Sequence, residues 1–221
     1  MLQRDYLMRM IEQVASAIGQ VMGLRRQMRH QEALLVIDEL LDSRFRLNGR
    51  LIRSLSDEDI VGMMTTNGVM EAENIQAIAL LLRQESEIYE EMGDGARAYP
   101  LQLKALQLFA RLAAADAPKV LADSDAEAER LLLKLSDCEL PAATKRLVMD
   151  WQESRGRYDQ AENWLYELLA EGEAGLDEAV AFYRRLLPLP DERLAAGGLP
   201  REEVEEGLAQ AEAGAWLSSR E

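Results

Sequence analysis

One stripe of small and apolar positions recurs along the chain. Residues Arg29 to Leu41 and Arg157 to Leu169 align without a gap: an Arg, a ring (His30, Tyr158), two polar residues, an alanine (Ala33, Ala161), an aliphatic residue four positions on (Ile37, Leu165), then Glu-Leu-Leu. Leu176 to Leu187 is a looser copy, with Ala179 and a closing Leu186-Leu187. Residues four, seven and eight positions after the alanine share its helical face. The pattern therefore predicts helices that admit a close neighbour at the alanine and bury larger side chains around it.

The remaining periodicity fills the chain with further helices. Over residues 2–26, Leu7, Ile11, Val14, Ile18 and Val21 recur at alternating spacings of four and three, and Arg25 takes the next seam position. Such a seam serves either one helix packing in an ordinary bundle or a homodimer. Helix signals follow at about 30–46, in a brief segment capped by Ser56, and at 71–92. Between the last two, Thr65-Thr66-Asn67-Gly68 is turn chemistry. Gly93-Asp94-Gly95 separates the 71–92 helix from one that starts near Tyr99-Pro100 and ends at Ala117-Pro118. Asp123 caps another, and Pro141 opens one that stops at Gly156. The repeat copies follow at 158–171 and 176–187, and Gly197-Gly198-Leu199-Pro200 reads as a flexible joint before an acidic terminal helix over about 201–217. The expected fold is all-α: nine to eleven helices in antiparallel hairpins. The organisation reads as N-terminal hairpins over 1–115 and C-terminal hairpins over 116–221, together one continuous domain.

Composition reinforces helix over strand. The chain has 36 Leu and 30 Ala against 9 Val, 8 Ile and 3 Thr, so helix formers far outnumber β-branched residues. One cysteine, Cys138, cannot form an internal disulfide. Arg9, Glu12 and Gln13 interrupt any signal-like apolar core, and no run nears the ~18 apolar residues that span a bilayer. A cytoplasmic protein with no membrane partner is expected. The net charge of −15 is uneven: residues 1–55 carry nine Arg and six acids, and the remainder is strongly acidic. An acidic body repels phosphate backbones, so nucleic acid is not expected as a partner.

Gly156-Arg157-Tyr158-Asp159-Gln160-Ala161 resembles the turn and second-helix start of a tetratricopeptide repeat, where a Gly closes the turn and an Ala sits between the two helices. Arg29 to Leu41 is similar, with Met28 where that Gly would stand. Met149 departs from the small residue expected seven positions before Gly156. The alanines Ala33, Ala105, Ala161 and Ala179 are spaced by 72, 56 and 18, of which only the first is near a multiple of the repeat length. The resemblance is thus to a degenerate tetratricopeptide-like superhelix and not to a regular array. The N-terminal half also looks like an uncharacterised bacterial family of such helical proteins, through Arg4 to Gln13, Glu32-Ala33-Leu34 and Leu55 to Ile60. That resemblance implies a fold and no activity, cofactor or catalytic residue.

Candidate chemistry is thin. One His and one Cys make no zinc set, and His30 is preceded at the required spacing by Gln27 where a di-metal site needs Glu. No phosphate-cradling glycine loop is present. Cys138 lies between Asp137 and Glu139, which disfavour a thiolate. Glu85, Glu87, Glu90 and Glu91 read as a solvated face. No cofactor, no metal and no catalytic residue is expected. The function expected is that of a non-catalytic protein–protein interaction scaffold or adaptor that takes a peptide or partner helix in a helical groove. Its candidate contact residues are Arg25, Arg26, Arg29, Asn163, Trp164 and Tyr166. Two alternatives stand beside it: a self-assembling homodimer through Leu7, Ile11, Val14, Ile18 and Val21, and an enzyme with a carboxylate and Arg site.

Overall fold

The structure, a computed structural model, describes residues 2–45 and 48–214. Trp216 and the end of the expected last helix lie outside the described residues. Among those described, twelve helices and one hairpin of two-residue strands make up the chain, which is all-α apart from that hairpin. It divides into two compact units, residues 1–138 and 139–221. The division falls after Cys138 and not after residue 115, because the helix opened by Asp123 packs against the one before it.

The first unit holds α1 (Leu2–Arg26), α2 (His30–Phe45), α3 (Gly49–Ser54), α4 (Asp57–Met63), strands β1 (Thr65–Thr66) and β2 (Val69–Met70), α5 (Ala72–Glu91), α6 (Gly95–Ala114) and α7 (Ser124–Lys134). Helix α4 starts with a capping box: the Asp59 N–H donates to Ser56 Oγ at 3.0 Å, and the Asp59 carboxylate accepts the Ser56 N–H. Asn67 and Gly68 both adopt left-handed φ, as a two-residue hairpin turn demands, so Thr66 pairs with Val69. The helix expected near Tyr99-Pro100 starts instead at Gly95, where Asp94 accepts the Arg97 N–H, and Pro100 lies in its second turn.

Helix α5 is the centre of this unit. It packs against α6, α2 and α1, and it is buried on nearly every side. Its buried polar side chains each find a partner. Gln76 is fully engaged: its Nε2 donates to the Pro118 carbonyl at 2.8 Å and to Ser124 Oγ at 3.2 Å, while its Oε1 accepts the N–H groups of Val120 and Leu121. One amide thereby fixes the α6–α7 connection. Helix α1 uses its seam within this unit. Val14 and Val21 are fully buried, and Leu7 and Ile18 pack on a cluster of Met10, Val14 and Ala77, with Ile11 half-buried. A second copy could use Val14 and Val21 only by displacing the chain's own core, whereas Leu7, Ile11 and Ile18 are half-buried.

The second unit holds α8 (Ala142–Ser154), α9 (Tyr158–Ala170), α10 (Leu176–Leu186), α11 (Asp191–Ala196) and α12 (Arg201–Glu212). Helices α8 and α9 form a tight hairpin around the turn at Gly156. The repeat alanines Ala33, Ala161 and Ala179 all have zero exposure, and Ala161 lies in a cluster with Leu165, Phe182, Tyr183 and Val204. The segment read as a flexible joint is closed. A Cβ on Gly197 would stand 2.3 Å from the Tyr158 ring, and the Gly197 carbonyl accepts the Asp159 N–H at 3.1 Å. Gly207 likewise lets α12 lie directly on the Tyr183 ring.

Candidate functional site

The C-terminal end of α1, the turn after it, the outer end of α5 and one residue of α7 enclose a surface groove of about 610 Å³. Its walls mix two kinds of side chain. Ile18, Met22 and Met28 are apolar, and Arg25, Arg26, Arg83 and Arg130 are cationic; Glu87 and Glu91 are the only acids that line it among the described residues. Met22 is 42% and Met28 72% exposed. Met28 also holds a φ of +58°, the left-handed conformation that a side chain with a Cβ adopts at a cost. It needs that conformation because Met28 closes the turn that ends α1, with the Arg29 N–H donating back to the Leu24 carbonyl.

The arginines play different parts. Arg25 ties α1 to α5: it donates to Gln84 Oε1 at 2.9 Å, to Glu87, and to Glu91 Oε1 at 3.1 and 2.8 Å. Burial opposes its charge, but Glu91 and Glu87 outweigh that and raise its pKa. The same pairing with Arg25, helped by His30 at 3.2 Å, holds the Glu91 carboxyl below its usual range. Arg83 reaches Glu87 at 3.1 Å and Glu127 at 3.4 Å, and Arg130 reaches Glu127 at 3.4 Å. Arg26 is exposed and makes no ion pair among the described residues. Arg29 is drawn away to Glu32 and Gln27 and does not line the groove.

The structure therefore brings Arg25 and Arg26 together in one groove and sends Arg29 elsewhere. Met22, Met28, Arg83 and Arg130 complete the groove without having been expected there. Asn163, Trp164 and Tyr166 belong to the second unit. Asn163 is exposed, Trp164 packs half-buried on the core cluster, and Tyr166 is half-buried near Tyr183.

A second recess, between α2, α3 and α5, holds the most deeply buried carboxylate among the described residues. Glu85 is 2% exposed, and Arg53 Nε donates to both its oxygens at 2.8 Å while the Arg53 Nη2 donates to Asp38. Burial pushes the Glu85 carboxyl up, with Arg53 pulling against it. Because Arg53 contacts both oxygens, this arrangement joins α3 to α5 and α2. In the second unit, Tyr183 donates to Glu162 at 2.6 Å, and burial raises both groups. Among the described residues, no three His, Cys, Asp or Glu side chains converge as metal ligands, and no helix is long and apolar enough to cross a membrane.

Residues 1–214 match the model of a family described as a family of unknown function, DUF6483. The chain belongs to DUF6483. No curated protein and no solved structure matches it.

Proposed function

We propose that this DUF6483 chain is a non-catalytic scaffold of degenerate tetratricopeptide-like hairpins that takes a peptide or a partner helix in a helical groove. The observation that carries the reading is the pair of exposed methionines, Met22 and Met28, set beside Arg26 in the groove at the end of α1. Of the nine large apolar side chains left exposed among the described residues, five are methionines. Methionine is flexible and polarizable, and it suits surfaces that adapt to a partner. The partner is a protein segment and not nucleic acid, because the first unit carries 22 acidic against 16 basic residues and the second 18 against 9. The cytoplasm is the compartment this reading assigns.

The homodimer reading draws no support from Val14 and Val21 of the α1 seam, which are buried in the chain's own core. An enzyme reading would centre on Glu85, whose oxygens Arg53 already holds.

The test places a photo-crosslinking residue at Met22, with a control at Leu133, which is 77% exposed and outside the groove. Cross-links in cells to one protein from position 22 alone would establish the scaffold. A second copy of the chain as the sole product would establish self-assembly instead. Identical products from both positions would sink the groove as a binding site.

A further inference from the structure

The occupant of this groove can be specified further, on the footing that the chain is a scaffold. We infer that the groove at the end of α1 binds an acidic amphipathic segment, anchored by an apolar side chain lodged between Met22 and Met28, with its carboxylates on Arg26 and Arg130.

Charge complementarity selects that chemistry. Four guanidinium groups line the groove against two carboxylates, on a unit whose overall charge is negative. Arg25 is consumed by Glu87 and Glu91, but Arg26 is exposed and Arg130 is 62% exposed with only a long contact to Glu127. These two cations are therefore open to carboxylates from outside. A basic or neutral segment would leave both unmatched, and a basic one would also meet the same-sign field of the groove. A purely acidic segment would leave Met22 and Met28 in water.

The backbone supplies a second, independent reason. The residue that ends α1 sits in the left-handed region, where glycine carries no penalty, yet this chain has Met28 there with 72% of it exposed. That side chain is not part of the Met10, Val14 and Ala77 cluster of its own unit. A strained backbone holding an apolar side chain out into water points to a use outside the folded chain. That the same methionine lines a groove with Arg26 gives it one.

The experiment selects binders to the full-length protein from a displayed library of random 16-residue peptides, then measures them by fluorescence anisotropy. The expected binders interleave Asp and Glu with Leu, Ile or Phe at helical spacing and weaken with added salt. Met28→Gly should bind them about tenfold more weakly, the scale of one lost apolar anchor, while melting at the same temperature or higher. Arg26→Glu should weaken them at least as much without changing the melting temperature. Binders that are basic, that lack apolar anchors, or that ignore both substitutions would overturn the inference and leave the scaffold reading standing. If no peptide binds, or if phosphatidylserine vesicles bind in place of peptides, both readings fall.

Discussion

Replacing Arg25 by Met keeps the apolar stem of the side chain and removes its guanidinium. Four hydrogen bonds go with it: one to Gln84, one to Glu87 and two to Glu91. Arg25 is 16% exposed, while Glu87 and Glu91 are 21% and 37% exposed, so solvent screens part of the interaction. An exposed ion pair contributes ~0–1 kcal/mol and a well-shielded bond to a charged group ~1.5–3 kcal/mol. Neither carboxylate is left alone, because Arg83 stays on Glu87 and His30 on Glu91. The net loss should be about 2 kcal/mol, which lowers the melting temperature of a domain this size by roughly 4–8 °C. Thermal denaturation followed by circular dichroism at low salt reads this directly, with Arg26→Met as the control that melts like wild type. If Arg25→Met also melts like wild type yet no longer binds groove peptides, the assignment is refuted. Arg25 would then be held for a partner and not for the contact between α1 and α5.

Two further outcomes follow from buried groups. Ala33→Leu and Ala161→Leu each force a larger side chain into a contact with zero exposure, and each should cost ~1–3 kcal/mol in urea unfolding; unchanged curves for both would remove the alanines from the helix contacts. Glu85 has a folded pKa raised by burial, so its contribution to stability is fully present below the ordinary glutamate range and is lost as pH rises through the folded value. The stability of wild type relative to Glu85→Gln should therefore shrink as pH rises above the ordinary glutamate range. A difference that grows as pH rises would mean that Arg53, and not burial, governs the carboxyl.

The long helices are legible in the sequence because each spans several turns of one repeating face. Helix α1 runs from Leu2 to Arg26, as its pattern predicts, and α9 begins at Tyr158 and ends one residue before the predicted 171. Helices α3 and α11 have six residues each, too few for a period to register. Asn67-Gly68 reads as a turn, but the pairing of Thr66 with Val69 depends on strands of only two residues. Gly197 reads as freedom and turns out to be contact, since nothing local reveals that the Tyr158 ring lies against it. In the groove, Arg25 and Arg26 are visible as a cluster. That Arg25 faces inward depends on where α5 lies. Met28 escapes notice for a different reason. Its distinction lies in a dihedral angle and an exposure, neither of which a composition or a period records.

Helices whose buried faces are mostly leucine, isoleucine and alanine are poor at telling one neighbour from another. Sliding such a helix one turn, about 5.4 Å, trades one leucine contact for the next at little loss. Helix α5 forbids the slide. Gln76 answers only the α6–α7 connection, Gln84 answers Arg25 on α1, and Glu85 answers Arg53 on α3. Moved by one turn, all three addresses fail together, and a carboxylate and two amides are stranded in an apolar interior. A few polar side chains therefore fix the register of an otherwise interchangeable core, and with it the spacing between the end of α1 and the arginines across the groove.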